Sequence, residues 1–180
     1  PKYFEQLKVF HGHSDSVNIV KFSPDGTKIV SSSNDATIRI WDVNLKNEIK
    51  ILKGHLNYVN YAEFSPNGDT IVSCSTDKTI RLWDVQTGNE IKILGRHKRS
   101  VKIATFSPDG KIIVSGSADG EIIIWDAKSG QTKKTLGKKF KVIRDIAFSP
   151  SGEQIAVGTE NKVEIWNVYL WEKYKNSRKI

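Results

Sequence analysis

The phrase IRIWDV at residues 38–43 returns as IRLWDV at 80–85, IIIWDA at 122–127 and VEIWNV at 163–168. Its tryptophans, Trp41, Trp83, Trp125 and Trp166, are spaced by 42, 42 and 41 residues. Phe22, Phe64, Phe106 and Phe148, which open a turn reading Ser-Pro-Asp-Gly or close to it, recur every 42 residues. A period of this length makes each copy one small unit that cannot form a core alone and must bury its apolar face against the next copy. The 180 residues therefore read as one domain of stacked units, with repeats near 11–52, 53–94, 95–136 and 137–175.

Inside one copy every segment reads as β. VNYAEF (59–64) enters Ser-Pro-Asn-Gly, where proline presets the turn and glycine closes it. TIVSCS (70–75) and TIRLWDV (79–85) follow, rich in β-branched and aromatic residues and separated by a short turn. After QTGN comes EIKIL (90–94), where Ile91 and Ile93 alternate with Lys92 as in an outer strand wetted on one side. That gives four strands per copy, and no segment shows a helical period of apolar residues.

Four strands in about 42 residues, a Gly-His near the start (Gly12-His13, Gly54-His55) and a Trp-Asp near the end resemble the WD-repeat family of β-propellers. The likeness covers residues 5 to 168. It weakens in the third copy, where Arg96 precedes His97, and most in the fourth, where Lys139, Glu160 and Asn167 stand for histidine and the two aspartates. The resemblance implies an all-β fold, a β-propeller of four-stranded antiparallel blades with four blades in this chain. QLKVFHGH (6–13) aligns with EIKILKGH (48–55), so residues 5–10 are expected to be an outer strand for another blade, with Leu7 and Val9 matching Ile49 and Ile51 on its inward side. YLWEKYKNSRKI at the other end lacks the pattern of an outer strand. Three arrangements are compatible with these ends: a partial propeller whose remaining blades lie elsewhere, half of a two-chain, eight-bladed homodimeric ring, and a self-closed ring of four.

HGHSDS (11–16) holds the residue types of a hydrolase triad or a metal site. The repeat argues against both. His13, His55 and His97 recur every 42 residues, as do Ser31, Ser73 and Ser115, and Asp35, Asp77 and Asp119. A catalytic centre is needed once, whereas a set repeated with the unit serves the unit. In the family it resembles, histidine, serine, aspartate and tryptophan form a buried hydrogen-bonded tetrad. The expected structural sets are thus His13, Ser31, Asp35 and Trp41; His55, Ser73, Asp77 and Trp83; and His97, Ser115, Asp119 and Trp125. With four histidines and one cysteine spread over different units, no convergent zinc set is expected, and no phosphate-cradling glycine motif is present. The reading is of no enzyme, no cofactor and no metal.

Function then rests on the surface. The resemblance implies a protein–protein interaction scaffold binding peptides or protein partners through its loop faces, and places Leu56, Tyr58, Thr76, Lys98, Arg99, Ser100 and Phe140 on one such face. An exposed tyrosine and leucine beside two cations suit a peptide with an apolar side chain and an acidic group. The net charge of +8 offers an alternative: residues 128–180 hold twelve Lys or Arg against five Asp or Glu, so this basic end could bind nucleic acid or another acidic partner. Cys74 lies in the apolar run IVSCS and reads as a buried small side chain. No apolar run approaches the ~18 residues of a membrane span, and PKYFEQLKVF has no secretory-signal layout. A location inside the cell, cytoplasmic or nuclear, without membrane association, is the expectation.

Overall fold

A computed structural model describes residues 5–45, 47–136 and 141–168. Among these residues the chain is all-β. The first sheet holds β1 (Val17–Phe22), β2 (Lys28–Ser33), β3 (Thr37–Asp42) and β4 (Asn47–Lys53); the second β5 (Val59–Phe64), β6 (Thr70–Ser75), β7 (Thr79–Asp84) and β8 (Glu90–Arg96). The third holds β9 (Val101–Phe106), β10 (Ile112–Ser117), β11 (Ile122–Asp126) and β12 (Thr132–Leu136), and the fourth β13 (Asp145–Phe148), β14 (Gln154–Gly158) and β15 (Val163–Asn167). Strands follow chain order in each sheet and pair antiparallel, giving three four-stranded sheets and one of three strands.

Local chemistry sets these meanders. In the first β1–β2 turn the Asp25 carboxylate accepts hydrogen bonds from Ser23 Oγ (2.6 Å) and Thr27 N (3.0 Å), while Gly26 takes φ of +70°, a left-handed conformation that costs glycine little. Gly68, Gly110 and Gly152 repeat it. A β-bulge recurs where each third strand reaches its tryptophan, between Ile40 and Trp41, Leu82 and Trp83, and Ile124 and Trp125.

The core lies between sheets, as the repeat requires. Val30, Ile38, Ile40 and Leu52 of the first sheet close on Val59, Phe64, Ile71 and Trp83 of the second. Two further layers follow the same plan, Leu82 and Leu94 against Phe106 and Trp125, then Ile122 and Leu136 against Ile146 and Ile155. Cys74 is fully buried in the middle layer, and burial pushes its thiol pKa well up. On the outer strands the buried position is Leu52, which pairs with Ile38 and shares its face, not Ile49 or Ile51. The expected inward side of that strand is therefore corrected by one residue. Residues 5–13 pair with no strand among the described residues; Phe10, the match of Leu52, packs against Trp41 with the two rings tilted and their centroids 5.3 Å apart.

Candidate functional site

The first two units bring their four expected residues together with the same geometry. Trp41 Nε1–H donates to Ser31 Oγ at 2.8 Å, and Trp83 to Ser73 at 2.8 Å. His13 and His55 place Nδ1 2.8 Å from Asp35 and Asp77, so Nδ1 carries the proton and Nε2 accepts from the serine hydroxyl, at 2.7 and 2.8 Å. Each buried polar group thus meets a partner, which avoids the ~1–3 kcal/mol cost of an orphaned one. The order Ser–His–Asp has the connectivity of a hydrolytic triad. However, Ser73 is fully buried and its oxygen already accepts the indole N–H, so its hydroxyl meets no substrate.

Each aspartate carries a second duty. Asp77 Oδ2 also accepts from Leu56 N at 3.0 Å, and its Oδ1 accepts from Thr79 N at 2.8 Å and Thr79 Oγ1 at 2.6 Å. Asp35 does the same with Ser14 and Thr37. Burial pushes both carboxyls up, but these bonds, with those from the histidines, outweigh it and hold them well below the usual carboxylate range.

The third unit departs from expectation. Trp125, Ser115 and His97 keep their spacing, with Trp125 Nε1 and His97 Nε2 each 2.8 Å from Ser115 Oγ. Yet His97 Nδ1 faces Glu121 Oε2 at 3.2 Å, and Asp119 instead accepts from Ser117 Oγ. Asp119 is therefore not the partner of His97. Glu121 stands where the first two units have Thr37 and Thr79, and its longer carboxylate reaches the imidazole first; a second anion there is repelled. Burial lowers the His97 pKa, with Glu121 and Asp119 opposing in part. The donor atoms of His97, Asp119 and Glu121 lie within 4.8 Å of one another, a spacing a divalent ion could span. Both ring nitrogens of His97 are already bonded within the network, in which Glu121 takes the aspartate's place beside His97, Ser115 and Trp125. In the fourth unit Val157 stands at the serine position, and Lys139 lies outside the described residues.

Two features escaped sequence reasoning. The glycine lost at Arg96 is supplied one residue earlier: a Cβ on Gly95 would lie 2.5 Å from Trp125, much as one on Gly54 would lie 3.0 Å from Trp83. An extra bulge between Ile80 and Arg81 absorbs the offset. The second is Glu63, half-buried between the second and third sheets, where Oε1 accepts from Phe106 N (2.8 Å) and Thr105 Oγ1 (2.9 Å) and Oε2 from Tyr61 Oη (2.9 Å).

With this repeating network in place, sequence comparison is decisive: a family model described as "WD domain, G-beta repeat" matches residues 4–42, 46–84, 88–126 and 130–167. The chain belongs to the WD-repeat family. Over 43 residues it is 40% identical to the guanine nucleotide-binding protein subunit beta of Arabidopsis thaliana, covering 24% of this chain and 11% of that protein. Over 42 residues it is 48% identical to WD repeat-containing protein 18 of Danio rerio, covering 23% and 10%. Over 32 residues it is 47% identical to periodic tryptophan protein 2 of Saccharomyces cerevisiae, covering 18% and 4%. Each match is about one WD repeat long or less and spans about a tenth of the relative or less.

The WD-repeat tetrads also organise one end of the sheets. Leu56, tied through its N–H to Asp77, is 82% exposed, and Tyr58 is 49% exposed. Thr76 N donates to Tyr58 O at 2.9 Å, and Ser100 Oγ donates to Thr76 Oγ1 at 3.2 Å, linking the second and third sheets. Lys98 and Arg99, beside Ser100, are exposed. Six of the seven expected face residues therefore lie on connected loops; Phe140 lies outside the described residues. No helix among the described residues is long and apolar enough to cross a membrane.

Proposed function

We propose that this chain is a non-catalytic protein-interaction scaffold whose loop face around Leu56, Tyr58, Thr76, Lys98, Arg99 and Ser100 binds an extended peptide carrying an apolar side chain and an acidic group. The observation that carries this reading is the Leu56–Tyr58 loop. Its apolar side chains face solvent while its backbone is pinned from below by Asp77 and Thr76. A pre-ordered loop loses little entropy on binding, and an exposed tyrosine next to cations has the composition of an interface hot spot. WD-repeat membership supports the scaffold role.

Selection of a displayed peptide library on the immobilised chain is expected to enrich sequences with an aromatic or leucine beside Asp or Glu. Tyr58→Ala should weaken an enriched peptide about 30-fold, the loss of about 2 kcal/mol of a hot-spot contact, read by fluorescence polarisation. No enrichment, or affinity indifferent to both Tyr58→Ala and Leu56→Ala, would show the face is not a binding site. The nucleic-acid reading of the basic end gains less support: Lys133 already pairs with Asp126 at 3.2 Å and Arg144 with Glu160 at 3.6 Å, and Lys138 and Lys139 lie outside the described residues. An oligonucleotide affinity that falls linearly and steeply in log salt would favour it.

A further inference from the structure

The third unit gathers more negative charge around its histidine than the second does. In the second unit Asp77 is bonded to His55, and the Arg81 guanidinium approaches the same carboxylate to 3.8 Å. Ile123 stands at the place of Arg81, so the third unit has lost that cation. Glu121 stands at the place of Thr79, so it has also gained an anion. Two carboxylates, Asp119 and Glu121, therefore share the surroundings of one imidazole.

Asp119 is also short of hydrogen-bond donors. Asp35 and Asp77 each accept on Oδ2 from the backbone N–H that follows the histidine, that of Ser14 and of Leu56. Asp119 accepts on Oδ1, from Ser117 Oγ and Glu121 N. Its Oδ2 is buried and accepts from no group among the described residues. A buried carboxylate oxygen in that position is costly unless a cation meets it.

The geometry suits a small divalent ion. One donor atom from each of His97, Asp119 and Glu121 lies within 4.8 Å of the other two. Ligand atoms at about 2.0–2.2 Å from a tetrahedral zinc ion stand roughly 3.3–3.6 Å from each other. His97 Nδ1 and Glu121 Oε2, 3.2 Å apart, already span such an edge. The Glu121 side chain is 18% exposed, which opens the trio to an ion and a water from solvent. An imidazole nitrogen in the set favours zinc over magnesium or calcium, which take oxygen ligands.

We propose that His97, Asp119 and Glu121 form a zinc site with water as the fourth ligand. Nδ1 coordinates through its lone pair, and the ring takes its other neutral tautomer, with the proton on Nε2. Nε2–H then donates to Ser115 Oγ, 2.8 Å away, and the serine hydroxyl turns to Ile123 O, 3.5 Å away, while Ser115 still accepts from the Trp125 indole. The ion ties the segment before β9 to the β10–β11 turn, a link that Asp35 and Asp77 make by hydrogen bonds in the first two units. Counting histidines and cysteines passes over this site because two of its ligands are carboxylates and Glu121 has no acidic equivalent in the other units.

The test is isothermal titration of zinc chloride into the full chain at neutral pH, after dialysis against a chelator. One ion per chain is expected at micromolar or tighter affinity, and a melting temperature higher by about 5–10 °C at free zinc near 100 times Kd. Magnesium chloride should give no binding heat. Asp119→Asn and Glu121→Thr each remove a ligand and should weaken zinc by more than the about 10–100-fold typical of losing an outer-shell partner. Glu121→Thr restores the residue type of the first two units, so in chelator it should melt no lower than the wild type, which separates lost binding from lost fold. A wild-type chain that takes up no zinc, zinc binding that either variant leaves intact, or equal binding of magnesium overturns the proposal.

Discussion

At the level of single residues, the tetrad shows how far a periodic sequence can be read by position alone. Spacing singled out His55, Ser73, Asp77 and Trp83 as recurring with each unit, and the resemblance to the WD-repeat family implied that they meet. It failed at Asp119, because position carries residues over one at a time and does not weigh a neighbour's reach. The signal was present as Asp-Gly-Glu where the first two units read Asp-Ala-Thr and Asp-Lys-Thr. This difference has a measurable consequence. Asp77→Ala orphans His55 Nδ1–H, Leu56 N–H and the Thr79 donors and is expected to destabilise by about 2–4 kcal/mol. Asp119→Ala removes a carboxylate that does not touch His97 and relieves its repulsion with Glu121, so a cost of about 1 kcal/mol or less is expected. Urea midpoints of the two variants should separate clearly, and equal midpoints would return Asp119 to the role first assigned to it. Acid should act through the same groups. The folded-state pKa values of Asp35 and Asp77 are depressed, so their contribution is complete above about pH 4 and is lost as the pH falls below that.

Strands and turns were legible because their chemistry is local: the Ser-Pro-x-Gly turns, the β-branched runs and the tryptophans recur in every unit. Contacts between neighbouring sheets were not, where the residue differs from unit to unit. Glu63 has Lys21, Thr105 and Ala147 as its equivalents, so no repeat marks it, yet it ties β5 to the end of β9. Burial pushes the Glu63 carboxyl up, and the bonds from Phe106, Thr105 and Tyr61 with nearby Lys21 compensate only in part. A group whose folded pKa is raised contributes fully below its unfolded pKa, and that contribution fades as the pH climbs through the folded value. Glu63→Gln can keep the geometry, its carbonyl accepting from Phe106 and Thr105 and its amide donating to Tyr61 Oη. It should therefore match the wild type below the usual carboxylate range and gain on it as the pH rises above that range, read as melting temperature across pH. A difference that stays flat, or that narrows with rising pH, would mean that Glu63 is stably ionised in place.

Over the whole molecule, the stack behaves as a short one-dimensional array in which stability is the sum of units and the layers between them. The second and third sheets are covered on both faces, while the first lacks cover on β1 and the fourth on β15. In this chain, opening should therefore run inward from the two end sheets. Amides of β6, β7, β9 and β10 are expected to exchange slowest, near the global unfolding free energy, and those of β1, β13 and β15 fastest, by sub-global opening. Hydrogen exchange followed by mass spectrometry reads this order strand by strand. Uniform protection would mean that the four sheets open as one unit, and that the layers between them are too strong for the exposed ends to matter.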